Sequence, residues 1–298
     1  MVYTQISSNK TKTWALITFF LVLIIALGYV FSYNLDAPGL LPLAIIISVG
    51  MSIGSFYYSD KIVLAISKAH EVARTDDPDL YNTVENLSIT AGLPAPKIYL
   101  IDDSAMNAFA TGRDPKHAVI CITSGLRSKL TKPELQGVIS HELSHIGNYD
   151  IRLSTVIVVL VGVVALLSNW MLRISFFGGR RRSNDNNQAG AVLAIVGIVL
   201  AILSPIAAIL IQLAISRKRE YLADASGALL TRYPEGLASA LRKIAGDTEP
   251  LEVANNATAH LYFANPLHVN PSTFSRLFDT HPPIAERIRR LEEMNLGN

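Results

Sequence analysis

Four long apolar stretches alternate with two polar blocks along this chain. The apolar stretches cover residues 14–33, 39–58, 154–177 and 191–215. Each reaches the ~20 mostly apolar residues that a membrane-crossing helix needs. The pattern predicts an N-terminal membrane hairpin over 1–58, a polar block over 59–153, a second membrane hairpin over 154–215 and a second polar block over 216–298. The link "NLDAP" turns the chain straight back between the first two spans. Glycine and proline inside the spans are tolerable in lipid. Lys10 and Lys12 precede the first span as basic residues precede a signal peptide. Its apolar run exceeds the ~7–15 residues of a signal h-region, and no A-x-A cleavage site follows clearly, so an uncleaved anchor is expected.

Two spans per excursion put the N-terminus and both polar blocks on one side. Lys10, Lys12, Lys61, Lys68, Arg152, Arg217, Lys218 and Arg219 flank spans on that side. The positive-inside rule makes it cytoplasmic, in a multi-pass protein of the cell membrane. The loop between the third and fourth spans carries Arg180, Arg181 and Arg182 on the opposite side. Either the first hairpin sets the orientation, or the second is shallow or re-entrant. The stretch 178–190 is the one with a disordered composition.

Inside the polar blocks the period changes. Helices are expected over 60–75 and 79–91, then strands over 97–101, 107–111 and 117–123. "TKPE" at 131–134 reads as a capping box, with Thr131 as N-cap, Glu134 reaching back and Pro133 in the first turn. The helix it opens runs through "VISHELSHIGNYD", residues 138–150.

Composition agrees with this layout. Of 298 residues, 50% are hydrophobic and 17% charged, against about 25% charged in a soluble domain; mean hydropathy is +0.33. A net charge of +2 is too small to point to nucleic acid. The single cysteine, Cys121, has no internal disulfide partner and reads as a small buried hydrophobe.

The chemistry starts at "HELSH". His141 and His145 are four residues apart, so on a helix they share one face and both imidazoles can reach one ion. Glu142 is rotated by about 100° from His141, where it can face the same cleft without binding the metal and take a proton from water. This is the H-E-x-x-H arrangement of zinc hydrolases. The competing reading is a pair of surface histidines, but "LQGVIS" before the motif marks a packed helix. A catalytic zinc takes three protein ligands and leaves a fourth position open. None follows within "IGNYDI". The best candidate is Glu220 in "SRKREYLADASG", with Asp224 one turn on to hydrogen-bond the outer nitrogen of a zinc histidine. The competing reading there is an exposed acidic pair of little energetic worth. The membrane hairpin between His145 and Glu220 would bring the two motif helices together at the bilayer surface.

These motifs, with "MNAFATG" at 106–112 and "THPPIAERI" at 280–288, resemble the integral-membrane zinc metallopeptidases of HtpX type in the M48 peptidase family, over essentially the whole chain. The resemblance implies an α+β fold. A zincin-like (minigluzincin) protease domain would be combined with four transmembrane helices in two hairpins. It implies one Zn2+ per subunit held by His141, His145 and Glu220, Glu142 as base, and Asp224 as a second acidic residue. It also implies an endopeptidase facing the cytoplasm that turns over damaged or misfolded membrane proteins. In that family an edge strand above the zinc holds extended peptides by main-chain hydrogen bonds; here Asn107 and Ala108 would line the cleft. His281 would donate to the oxyanion and Arg287 would support it, the alternative being a helix start with Arg287 in a surface ion pair. Partners are protein or peptide substrates and the lipid bilayer, not nucleic acid.

A reading from a different class keeps the membrane and makes the zinc structural, in a scaffold or transporter component. A transporter buries ionisable groups in its spans, and here only Arg173 lies in one, near its end. A structural zinc takes four protein ligands, and three good ones are found. A relative that cuts prenylated C-termini would have more spans around a chamber.

Overall fold

The computed structural model describes residues 2–34, 38–178, 199, 216–254, 258–266 and 282–296. Among them, two helices are long and apolar enough to cross a bilayer: α1 (Val2–Asn34), over Ile6–Val30, and α2 (Leu40–Ile66), over Leu41–Ile66. They pack together, with Trp14 stacked on Phe56 at 5.3 Å. The separate helix expected over 60–75 does not form. Residues 59–66 simply continue α2. Lys68 then takes a left-handed φ of +51°, which stops the helix, and His70–Glu71 form a short strand, β1.

Helix α3 (Pro78–Ala91) shows why such a sequence starts and stops where it does. The Asp77 side chain accepts from the Leu80 backbone N–H, Pro78 fills the first turn, and Gly92 closes the end at φ +68°. Strands β2 (Lys97–Ile101), β3 (Ala108–Gly112) and β4 (Ala118–Thr123) follow, in the sheet order β1-β2-β4-β3. β2 runs parallel to β4, and β3 antiparallel to it with Ala110 opposite Ile120. Strand side chains alternate between faces, and both faces are covered. Ile98, Ala108, Ala110, Ile120 and Ile122 face the core made with α3 and the H-E-x-x-H helix; Ile101, Phe109 and Cys121 face Val63, Val158 and Tyr262. Cys121 is fully buried, and burial pushes its thiol up, out of reach of thiolate chemistry.

After α4 (Ser124–Lys129) comes α5 (Lys132–Gly147), the helix of the histidine pair. Its start is the expected box: the Glu134 carboxylate accepts from the Thr131 backbone N–H at 2.7 Å and from its hydroxyl at 2.8 Å. Tyr149, at φ +60°, breaks the chain direction, and α6 (Asp150–Gly178) leaves at 81° to α5. The boundary expected between 153 and 154 therefore falls inside one helix. Ile151 packs with the α5 core, whereas Leu153, Val156, Ile157 and Leu160 pack on Ile17, Phe20 and Ile24 of α1. The expected third span lies on α6. The expected fourth span and the arginine loop lie outside the described residues, except Val199, which packs in that same cluster. Helices α7 (Arg217–Thr231), α8 (Pro234–Gly246) and α9 (Ile284–Leu296) complete the fold.

Candidate metal centre

The histidines of α5 and the acids of α7 meet because the two helices come very close. Gly227 of α7 lies against the α5 backbone, where even a methyl would sit 2.9 Å from the His141 nitrogen. This approach brings the two preceding turns of α7, with Asp224 and Glu220, to the histidine face. The His145 and His141 Nε2 atoms are 3.1 Å apart. Glu220 Oε2 is 3.7 Å from His141 Nε2, and Oε1 is 3.5 Å from His145 Nε2. One donor atom from each of the three lies within 4.8 Å of the others, the metal-capable group among the described residues. Donors about 2.0–2.2 Å from a tetrahedral ion sit roughly 3.3 Å apart, so these separations fit such an ion. Two imidazoles and a carboxylate also suit a borderline cation.

Each histidine is held from behind by its own carboxylate. Asp224 Oδ1 is 2.9 Å from His141 Nδ1, and Asp150 Oδ2 is 3.0 Å from His145 Nδ1. A carboxylate on Nδ1 fixes the tautomer that leaves Nε2 free for a metal. Burial alone would raise the Asp224 carboxyl, but Arg287 beside it and the bond to His141 hold it at about 2. Burial would also lower His145; Asp150 and Glu220 outweigh it and hold the ring up to about 9. His141 is taken the other way, to about 4, by burial. With their Nε2 atoms so close, both rings cannot carry a proton there, and a metal ion held by these nitrogens would take that proton's place.

Glu142 is 3% exposed. Burial pushes its carboxyl up to about 7; His145 pulls it down, Glu220 pushes it up, and a backbone hydrogen bond from Ala110 pulls it down. A cation held nearby favours the carboxylate. Ala110, His260 and Phe263 line a cavity of about 40 Å³ with the donor residues, room for an ion and water.

Arg287 is fully buried, not a surface residue. It does not line this cavity; it donates to both oxygens of Asp224 at 2.7 and 2.8 Å and to the Phe263 carbonyl at 3.1 Å. Its place is behind His141, reached through Asp224. Asn107 and Ala108, expected at the cleft, sit at the start of β3. The Asn107 amide donates to the Ala264 carbonyl and accepts from the Ala264 and Ala108 backbone N–H groups, and the Ala108 carbonyl accepts from Phe263 N–H. They tie β3 to residues 263–264, and Ala110 is the β3 residue at the cavity. His281 lies outside the described residues. Sequence reasoning missed Ala110, whose signal is only its register on the edge strand; for Asp150, five residues past His145, it expects a helix-end hydrogen-bonding role and not the clamp on His145.

An α+β body carrying such a centre beside two membrane-length helices defines a membrane metallopeptidase, and comparison with known proteins agrees. The family model described as "Peptidase family M48" matches residues 74–295. A "Protease HtpX homolog" of Dictyoglomus turgidum is 47% identical over 294 residues, covering 98% of this chain and 94% of that protein. Another, from Tropheryma whipplei, is 45% identical over 294 residues, covering 99% of each. The crystal structure of S. mikatae Ste24p shares the fold at a TM-score of 0.50 and 20% identity, over 97% of this chain and 67% of that one. The chain belongs to peptidase family M48.

Proposed function

We propose that this protein is a zinc-dependent endopeptidase of the cell membrane that hydrolyses peptide bonds of damaged or misfolded membrane proteins on the cytoplasmic side, in protein quality control under stress. The observation that carries the catalytic part is the convergence of His141, His145 and Glu220 within 4.8 Å beside the buried Glu142. His141, His145 and Glu220 hold one zinc, and a zinc there supplies Lewis acidity toward the attacking water and the scissile carbonyl. Glu142 takes the proton of the attacking water and passes it to the leaving amine, a task suited to a carboxyl near neutrality. His281 serves as the oxyanion donor.

An extended substrate pairs with the free edge of β3. The Ala108 carbonyl is already taken by Phe263 and the Ala110 N–H by Glu142, so main-chain pairing starts from the Ala110 carbonyl. Lys10, Lys12 and Lys61 at the inner ends of α1 and α2 support a cytoplasmic active site. A structural-zinc scaffold is disfavoured because the cluster has three donors among the described residues where a closed site takes four.

The test compares detergent-purified wild type with Glu142→Gln for bound zinc and for cleavage of casein. One zinc in both, with cleavage in wild type reduced at least ~10²-fold in the variant, is the expected result. Full cleavage by the variant refutes the role of Glu142; zinc in both with cleavage in neither returns the structural-zinc reading.

A further inference from the structure

The buried face of α1 runs Asn9, Thr13, Ile17, Phe20, Ile24, at helical spacing. The last three are ordinary packing against α6. The first is not: Asn9 is a polar side chain at 1% exposure, at the foot of a membrane helix. A buried amide is costly unless its hydrogens are donated. Here Nδ2 donates to Asp150 Oδ1 at 2.6 Å and to the Asn148 carbonyl at 3.0 Å. Asp150 uses its other oxygen, Oδ2, on His145 Nδ1. Arg219 approaches the same Oδ1 at 3.7 Å.

The neighbouring residues of α1 hold the same corner. Lys10 Nζ lies 4.3 Å from the Tyr149 ring centroid, and Arg152 covers that ring at 4.8 Å. Tyr149 is the left-handed residue at which α5 turns into α6. A bare corner of this kind has rotational freedom, and Asp150 sits on it as the first residue of α6. α1 removes that freedom at three successive positions: the Asn148 carbonyl, the Tyr149 ring and the Asp150 carboxylate.

We infer that the N-terminal membrane helix is part of the metal centre: Asn9 is a positioning residue that orients Asp150, and through it the imidazole of His145. The inference rests on the zinc-site reading above. Loss of such an outer partner costs about 10–100-fold in metal affinity. It gives the membrane hairpin a role beyond anchorage, since any movement of α1 away from the corner loosens one metal ligand.

The experiment uses the full chain in detergent. Zinc affinity is measured by competition with a chromophoric chelator, and the visible spectrum of the cobalt(II)-loaded protein reports the ligand geometry. Asn9→Leu keeps the side-chain volume and donates nothing; Asn9→Ala removes both; Lys12→Ala, an exposed change on the same helix, is the control. The expected result is a 10–100-fold loss of zinc affinity with a changed cobalt spectrum in N9L and N9A, and neither in K12A. In an Asp150→Asn background the N9L effect should shrink, because the two act through one bond network. Wild-type zinc affinity and cobalt spectrum in N9L, or an N9L loss undiminished in D150N, overturns the inference, since either leaves Asn9 with packing alone. Wild type that binds no zinc, or His145→Ala that binds it as tightly as wild type, instead sinks the reading of the site itself.

Discussion

Arg287 grips Asp224 with two prongs, Nε to Oδ2 at 2.8 Å and Nη2 to Oδ1 at 2.7 Å, with no part of the arginine exposed. The same Asp224 oxygen holds His141. Helix α9 thus reaches His141 through a buried charge pair. Removing one partner of such a pair leaves the other charge uncompensated, at a cost of about 3–5 kcal/mol. R287A should therefore unfold at a clearly lower temperature than wild type even when both are stripped of metal. R287K should not rescue it, because an ammonium cannot make the two-pronged contact. Thermal unfolding of chelator-treated protein checks both; a lysine variant as stable as wild type would falsify the pairing.

The sequence reveals one half of this centre and hides the other, for a physical reason. His141, Glu142 and His145 are legible because a spacing of four on a helix is a shared face, whatever the rest of the chain does. Glu220 and Asp224 are legible by the same rule, and the apolar run between the motifs suggests that the two helices meet. Arg287 lies 63 residues from its partner and Asn9 lies 141 from Asp150. No local pattern joins them. The helix ends at Ile66 and Gly147 were also hidden. Both depend on a left-handed residue, Lys68 or Tyr149, that is not glycine, so nothing in composition marks them. β3 was legible as an edge strand, but which of its residues meets the cavity depends on Asn107 turning inward to Ala264.

Gly227 is where α7 and α5 touch. A Cβ there would lie 2.9 Å from the His141 nitrogen and 3.2 Å from the His141 Cα, and backbone atoms inside a helix cannot yield cheaply. G227A should push α7 outward and carry Glu220 from the histidines, costing about 1–3 kcal/mol of stability and weakening zinc binding. G246A, at the end of α8 with nothing within 4 Å of the added methyl, is the matched control and should be near neutral. Equal zinc affinity in the two variants would show that the close approach does not set the site.

Glu134 ties the start of α5 to α8. Burial alone would raise its carboxyl. The Lys243 ammonium at 2.7 Å, the Ser239 hydroxyl at 2.7 Å and the Thr131 N–H and hydroxyl outweigh that and hold it down to about 2. An unfolded glutamate titrates near 4.3, so the folded state prefers the ionised form. The stabilisation is fully present above about pH 4.3 and is lost as pH falls toward 2. E134Q should melt below wild type at pH 6–8, by about 1–2 kcal/mol, and the gap should close between roughly pH 4 and pH 2. Melting curves of the two proteins across that range check the sign. A gap that widens on acidification would contradict it.

Metal removal separates binding from chemistry. If His141, His145 and Glu220 hold an ion in the folded state only, that ion stabilises the fold by mass action, about 2.7 kcal/mol when its free concentration is 100 times its Kd. Treatment with a chelator should lower the melting temperature of wild type by several degrees and abolish cleavage, and added zinc should restore both. E142Q keeps all three donors. It should show the same fall and the same recovery of melting temperature while never regaining cleavage. H145A should start at the stripped value and respond to neither treatment. A chelator that stops cleavage without moving the melting temperature of wild type would mean that the ion sits elsewhere. An E142Q protein insensitive to the chelator would mean that Glu142 is needed to hold the ion, and its role as a base would have to be given up.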